Sequence, residues 1–255
     1  MAMTKADSGL ASRFAVSPNH GERLAAVDCV VLHYTGMADD ASALAWLCNP
    51  QSEVSCHYCI RENGEIIQLV PESRRAWHAG RSFWAGERDM NSRSIGIEIV
   101  NPGHAGDCPP FPSMQIGAVI RLCRDIAARH TIAAQRFLAH SDIAPGRKQD
   151  PGEMFPWEQL HRHGVGHWVA PRAMGGGRTL SPGESGQPVE ALQAMLAMYG
   201  YGIDISGEFD AATAAVVSAF QRHFRPARID GIADASTIET LRDLIAHLPA
   251  PRLGT

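Results

Sequence analysis

The stretch VDCVVLHYT, residues 27–35, joins a continuous apolar run to polar residues at its carboxyl end. A short unbroken run of this kind, rich in Val and Leu, is typical of a buried β-strand. His33 comes at the end of the run, where a buried polar group without a partner would cost about 1–3 kcal/mol. We therefore expect the imidazole of His33 to have a specific partner in the folded chain.

The stretch RFLAH, residues 136–140, predicts another short strand that ends in a histidine. A loop rich in Gly and Pro follows it and carries Asp150. Two neutral imidazoles and one carboxylate are a common ligand set of catalytic zinc sites, with a fourth position left for water. If the two strands are neighbours, His33, His140 and Asp150 can form such a set. Otherwise the two histidines are ordinary core residues with hydrogen-bond partners.

Glu98 places one carboxylate inside the apolar stretch SIGIEIVN, residues 94–101. Successive side chains of a strand point to opposite faces, so Ile97 and Ile99 share one face and Glu98 points to the other. A buried carboxylate is either paired or has a raised pKa. A salt bridge to Arg93 is the structural interpretation of Glu98. A general base beside an activated water is the functional one.

Strand-like and helix-like patterns intermix through the first part of the chain. The residues 62–65 predict a hairpin turn, and the stretch SMQIGAVIRLCRDIAARH, residues 113–130, predicts an amphipathic helix that Ser113 could cap. The apolar stripe of this helix comprises Ile116, Val119, Ile120, Cys123 and Ile126. The pattern predicts an α/β fold, with a mixed central β-sheet flanked by helices and a small C-terminal three-helix domain.

The composition is that of a globular protein, because 45% of the 255 residues are hydrophobic and 20% are charged. A net charge of −4 argues against a nucleic-acid-binding surface. No apolar run approaches the roughly 20 residues of a membrane span. No secretory signal pattern is evident either. We expect a cytoplasmic monomer without a nucleic-acid partner. Its six cysteines are expected to be free, and a metal or redox role for Cys56 and Cys59 is the less favoured alternative.

A segment dense in Gly and Pro, residues 164–181, predicts a linker between two domains. The first domain comprises residues 20–163. In residues 182–247, three sets of spaced apolar residues predict three short helices.

Five motifs give the first domain a specific resemblance: VVLHYT, VSCHYCI, AWHAG, NSRSIGIEIVN and LAHSDIAPGRKQDPG. In order and spacing they resemble the zinc-dependent N-acetylmuramoyl-L-alanine amidases, which are related to the peptidoglycan recognition proteins. The resemblance spans about residues 25–160. It implies hydrolysis of the amide bond between the N-acetylmuramoyl lactyl group and L-alanine, in peptidoglycan or in soluble muropeptides.

The resemblance also implies a role for each site residue. His33, His140 and Asp150 would bind Zn²⁺. Glu98 would be the catalytic general base, and Lys148 would stabilise the oxyanion. The remaining motif positions correspond to substrate-binding residues, namely Tyr34, His57, His78 and Asn101.

Two positions depart from the recognition-protein and phage branches of the family. Those branches carry a catalytic Tyr at the position of Cys56 and a Cys ligand at the position of Asp150. Both departures favour the bacterial recycling-type and wall amidases, which rely on the Glu and the Lys. Two alternatives stay open: a recognition protein that binds peptidoglycan without cleaving it, and a zinc peptidase that acts within the stem peptide.

The C-terminal part, residues 182–247, is called the tail below. It resembles the three-helix peptidoglycan-binding domain that is often attached to cell-wall hydrolases. A wall-binding tail favours a periplasmic or wall-associated enzyme that acts on polymer, whereas the free cysteines favour the cytoplasm and soluble anhydro-muropeptides. We expect the tail to act as a tether. The chain cut near Gly177 should then still fold, bind zinc and cleave soluble muropeptides, and should lose binding to insoluble wall.

Overall fold

The computed structural model describes residues 5–173 and 175–248, and its elements alternate as the sequence predicts. The strands are β1 Arg13–Phe14, β2 His20–Glu22, β3 Cys29–Tyr34, β4 Tyr58–Ile60, β5 Ile66–Gln68, β6 Arg74–Ala76, β7 Ser94–Ile99 and β8 Phe137–Ala139. The helices are α1 Asp40–Leu47, α2 Met90–Arg93, α3 Ser113–His130, α4 His140–Ile143, α5 Trp157–Arg162, α6 Gln187–Tyr199, α7 Ala211–Phe224 and α8 Ala235–Ala246. None of the described helices is both long enough and apolar enough to span a membrane.

Six strands form one mixed sheet in the order β1-β5-β4-β7-β3-β8. Strand β3 lies between β7 and β8 and is parallel to both, so the two histidine-ending strands are neighbours as expected. The hairpin is also confirmed, because β4 and β5 pair antiparallel around Gly64, which has a φ of 81°. In the β3–β7 ladder, His33 is directly opposite Glu98.

Helix α3 covers one face of this sheet. Val30, Leu32 and Ile97 pack in the same buried cluster as the apolar stripe of α3, which confirms the predicted amphipathic helix. The cap prediction is wrong, because Ser113 is already the first helical residue and follows Pro112, which makes no side-chain cap.

The C-terminal helices cover part of the opposite face. Cys29, Val31 and Leu138 belong to the same buried cluster as the apolar residues of α6, α7 and α8. The intervening segment also makes specific contacts: the hydroxyl of Ser236 donates to the Arg172 carbonyl at 2.6 Å, and Leu180 forms a β-bridge with Ala233. The predicted fold class is therefore confirmed, but the two parts of the chain share a core.

Candidate active site and metal centre

Three side-chain atoms meet at the carboxyl end of the central strands. Nδ1 of His33, Nδ1 of His140 and Oδ2 of Asp150 lie 2.9 Å from one another, in all three pairings. His33 ends the apolar run of β3, and His140 begins α4 immediately after β8. All three residues are at least 94% buried, with exposed fractions of 1%, 3% and 6%.

The chemistry of this donor set fits a divalent metal ion. Burial, with the nearby His140 ring, lowers the pKa of His33 to about 4, so its imidazole is neutral. Burial alone would raise the pKa of Asp150, but His140 and His33 hold it well below the usual range, so the carboxyl is ionised. Neutral imidazoles and an ionised carboxylate are the forms that bind zinc, and three acceptors this close are best reconciled by one shared cation.

The ring nitrogens that point away from this cluster have partners of their own. Nε2 of His140 donates to the carbonyl oxygen of Ala79 at 3.1 Å, which leaves Nδ1 free to coordinate a metal ion. Nε2 of His33 lies 3.1 Å from Nδ1 of His78, and Nε2 of His78 lies 3.2 Å from Oγ of Ser94. Such outer contacts orient metal-binding histidines and fix their tautomers.

Two residues in this outer layer carried no predicted role. Oδ1 of Asn91 accepts hydrogen bonds from the backbone N–H groups of His78 and Ala79, at 3.0 and 2.8 Å. Gly96 lies against the His78 ring, and a Cβ there would come within 2.4 Å of Cγ of His78. Gly96 therefore gives the ring its space. Asn91 and Gly96 both lie in the stretch NSRSIGIEIVN, but only the tertiary contacts show that they position His78.

Glu98 faces the same side of the sheet as His33. Its Oε2 atom is buried and has no hydrogen-bond partner among the described residues. Burial raises its pKa well above the ordinary value, Asp150 raises it further, and Lys148 opposes the shift. The salt-bridge interpretation is wrong, because Arg93 pairs instead with Asp28 and with Glu87.

The cluster lies in the wall of an open groove of about 510 Å³. The groove also contains Glu98 and Lys148, and two tryptophans, Trp46 and Trp77, lie along it. The predicted substrate residues Tyr34 and His78 are among its lining.

The other two predicted substrate residues do not reach the groove, and that part of the prediction is corrected. The ring of His57 is fully buried, with Nδ1 accepting from the Gly96 N–H at 2.9 Å and Nε2 lying 2.8 Å from Nη2 of Arg23 and 3.0 Å from the Arg74 carbonyl oxygen. The amide of Asn101 donates to the Pro109 carbonyl at 2.9 Å and accepts from the Gly103 N–H at 2.8 Å. The polar atoms of both side chains therefore form hydrogen bonds with neighbouring backbone groups and do not line the groove.

Two protein families match the chain in separate regions. The family described as N-acetylmuramoyl-L-alanine amidase matches residues 23–153, and a peptidoglycan binding domain matches residues 185–241. The first match contains the whole His-His-Asp cluster together with Glu98 and Lys148.

Curated relatives agree with this match. The chain is 43% identical over 227 residues to the N-acetylmuramoyl-L-alanine amidase AmiD of Escherichia coli, covering 83% of this chain and 79% of AmiD. It is 38% identical over 108 residues to the 1,6-anhydro-N-acetylmuramyl-L-alanine amidase AmpD of Enterobacter cloacae. That match covers 42% of this chain and 56% of AmpD.

Solved structures extend the similarity to the fold of almost the entire chain. E. coli AmiD, in complex with the substrate anhydro-N-acetylmuramic acid-L-Ala-D-γ-Glu-L-Lys, has a TM-score of 0.73 at 39% identity and covers 88% of this chain and 91% of its own. AmpDh3 of Pseudomonas aeruginosa also has a TM-score of 0.73, at 32% identity, and the match covers 90% of this chain and 94% of AmpDh3. The chain belongs to the N-acetylmuramoyl-L-alanine amidase family.

Proposed function

We propose that this chain hydrolyses the amide bond between the N-acetylmuramoyl lactyl group and L-alanine, with a zinc ion held by His33, His140 and Asp150. The observation that carries the proposal is the triangle of three donor atoms 2.9 Å apart, with a free carboxylate on the adjacent strand. Zinc bound there would lower the pKa of water and polarise the substrate carbonyl.

Glu98 is the proton carrier in this proposal. Its Oε2 atom is buried without a hydrogen-bond partner among the described residues, and it borders the same groove as the metal ligands. The carboxylate accepts a proton from the attacking water and then donates it to the departing L-alanine amine. Burial raises the pKa of Glu98, and a raised pKa favours the first step because a carboxylate with a higher pKa is a stronger base.

Lys148 supplies positive charge on the same side of the groove. It lies two residues before Asp150, and among the described residues its ammonium group makes no salt bridge. An unneutralised cation in a preformed position can stabilise the negative oxygen that develops when the carbonyl is attacked. The loop of residues 144–150 thus brings a ligand and an electrostatic group to one site.

The groove fits a substrate with a sugar and a short peptide. Trp46 and Trp77 offer apolar surfaces for a sugar ring or an alanine side chain, and Arg147 offers a charge for a peptide carboxylate. AmiD was solved with an anhydro-muropeptide, and AmpDh3 with an anhydromuramic pentapeptide. We propose soluble anhydro-muropeptides as substrates, with polymeric peptidoglycan as a second substrate reached through the C-terminal region.

The decisive experiment combines product identification with metal analysis. The zinc-loaded protein is incubated with a soluble anhydro-muropeptide and, separately, with purified sacculi, and the products are analysed by mass spectrometry. Release of intact stem peptide with a free L-alanine amine is the expected result. Cleavage inside the stem peptide would identify a peptidase instead, and binding without products would identify a recognition protein.

The metal ligands are tested in the same assay. His33→Ala and His140→Ala should each lose bound zinc and activity together, because two remaining ligands hold zinc poorly. Full zinc occupancy in either variant would contradict the assignment. His57→Ala is not suitable as a control because that ring holds buried backbone, whereas the exposed His163→Ala should behave as the parent protein does.

A further inference from the structure

A second group of metal-type donors lies outside the proposed zinc site. His104, Cys108 and Glu153 each offer one ligand atom, and these atoms all lie within 4.8 Å of one another. Nε2 of His104 lies 3.0 Å from Oε2 of Glu153. His104 and Cys108 come from the turn that follows β7, while Glu153 comes from the segment after Asp150.

Nδ1 of His104, the ring nitrogen that points away from the group, has a hydrogen-bond partner, as is usual for metal-binding histidines. Nδ1 of His104 lies 2.9 Å from the hydroxyl of Tyr34, and this contact fixes the ring with Nε2 turned toward Glu153 and Cys108. A hydrogen bond at one ring nitrogen selects the tautomer and aims the other nitrogen at the ion.

The two segments come together closely at Gly152. A Cβ at this residue, which has a φ of 85°, would lie 3.1 Å from Sγ of Cys108 and 3.4 Å from Cε1 of His104. Any side chain there would therefore press on two of the three donors. Cys108 is largely buried while His104 is exposed, so the group has a dry side and a side open to a water ligand.

We propose that His104, Cys108 and Glu153 form a second site for a divalent transition-metal ion of the zinc type. Imidazole and thiolate ligands select zinc, cobalt or nickel over calcium and magnesium. Typical bond lengths of about 2.0–2.3 Å to nitrogen, oxygen and sulfur require donor atoms roughly as close as these, after small side-chain rotations. The proposal does not depend on the reaction catalysed at the first site.

The surroundings also indicate how strongly the site binds. The thiolate and the carboxylate offset the charge of a divalent ion, but the Arg222 guanidinium lies 3.5 Å from Oε2 of Glu153 and competes for it. The proposed catalytic site has no such competitor for Asp150 among the described residues. The second site should therefore fill after the first.

Cobalt titration of the metal-free full-length protein can separate the two sites. Cobalt bound by His33, His140 and Asp150 has no sulfur ligand, so it gives no sulfur-to-metal charge-transfer absorption. We expect the first equivalent of cobalt to bind without this near-ultraviolet band and a second equivalent to produce it. Metal content after gel filtration gives the number of ions per chain independently.

Variants identify the ligands. Cys108→Ser and His104→Gln should each bind one equivalent fewer, and Cys108→Ser should lose the charge-transfer band completely. Cys48→Ser is the matched control, because this half-buried free thiol lies outside any described metal-type cluster, and it should leave the band unchanged. Saturation of the parent protein at one cobalt per chain, or a band that survives in Cys108→Ser, would overturn the proposal.

Discussion

At the scale of single residues, Glu98 occupies an apparently unfavourable position that its proposed function explains. A carboxylate in an isoleucine-rich strand has no local reason to be there, and among the described residues its buried Oε2 atom has no partner to stabilise it. It stands opposite His33 in the β3–β7 ladder, and both side chains line the same groove.

Glu98→Gln should separate catalysis from folding and metal binding. The amide keeps the volume of the side chain but cannot carry the proton, so turnover should fall by a factor of roughly 10²–10⁴. Zinc content and the thermal unfolding midpoint should stay close to those of the parent protein. Near-parental turnover in a steady-state assay would leave Glu98 as a buried structural acid.

A different buried acid, Glu72, should contribute to the loss of stability in acid. Burial alone would raise its pKa, but hydrogen bonds from Arg129, His130 and Tyr58 outweigh it and lower the pKa from 4.5 to about 2. A folded-state pKa below the unfolded one stabilises the fold above pH 4.5, and this stabilisation is lost as the pH falls toward 2. The shift corresponds to about 3 kcal/mol.

The variant Glu72→Gln tests whether the contribution of Glu72 to stability is lost as the pH falls. Urea unfolding at pH 7 should show a less stable variant, because the neutral amide loses the charge-assisted bonds to Arg129 and His130. The gap in unfolding free energy between parent and variant should narrow progressively below pH 4.5. A gap that is independent of pH would mean that Glu72 is not ionised in the folded chain.

The sequence was most informative where a residue type was out of place. His33, His140 and Glu98 stood out because each interrupts or ends an apolar strand, and the structure brings all three to one groove. His57 looked equivalent but holds the backbone of β7 instead. Strand alternation cannot tell these cases apart, because the difference lies in which neighbouring segment covers each ring.

At the scale of elements, the short helix α4 connects the proposed metal site to the C-terminal helices. It begins at His140, and its Asp142 is fully buried. The Asp142 carboxylate accepts hydrogen bonds from the Ala139 N–H at 2.8 Å, the Tyr201 hydroxyl at 2.7 Å and Nδ1 of His223 at 2.7 Å. The last two donors belong to the tail, so the tail helps to fix the helix that carries a proposed metal ligand.

Tyr201→Phe should therefore weaken the proposed zinc site from a distance. Removing one donor from a buried carboxylate costs about 1–3 kcal/mol, and we expect a lower unfolding midpoint together with a several-fold lower zinc affinity. Tyr199→Phe is the matched control, because that buried hydroxyl bonds to His167 at 2.9 Å and not to α4. Equal zinc affinity in both variants would exclude this coupling.

Element patterns predicted the sheet well but not this connection. The apolar runs of β3 and β7 and the stripe of α3 have clear periods, and all three appear where expected. Helix α4 has only four residues, too few to show a period. Its importance comes from tertiary hydrogen bonds to residues about 60 to 80 positions away, which no local pattern encodes.

At the scale of the whole molecule, the tail packs as part of the catalytic body. Trp84 is 98% buried, with its ring 4.9 Å from that of Tyr201, and the Ala85 N–H donates to the Gly200 carbonyl at 2.8 Å. Trp157 stacks on His223 with ring centroids 3.7 Å apart. These contacts argue against the expectation of a freely tethered module, although the domain boundaries themselves stay predictions.

A chain ending at Gly177 should consequently be damaged even toward small substrates. The cut would expose Trp84 and the sheet face that the tail covers, and the loss of buried apolar surface is destabilising. It would also remove two hydrogen bonds that hold Asp142 of α4. We expect a markedly lower unfolding midpoint and loss of activity on soluble anhydro-muropeptides as well as on sacculi. Parental activity on the soluble substrate would restore the tether interpretation.

A nicked protein distinguishes packing from covalent tethering. A protease recognition site can be inserted between Gly175 and Gly176, where an added Cβ would meet no atom within 4 Å, and cleavage there leaves both parts of the chain present. If packing holds the tail, the nicked protein should co-elute as one species and keep nearly full activity on the soluble substrate, unlike the truncated chain. If the covalent link alone matters, the two parts should separate on gel filtration while the N-terminal part keeps its activity. The shared core and the two bonds to Asp142 favour the first result.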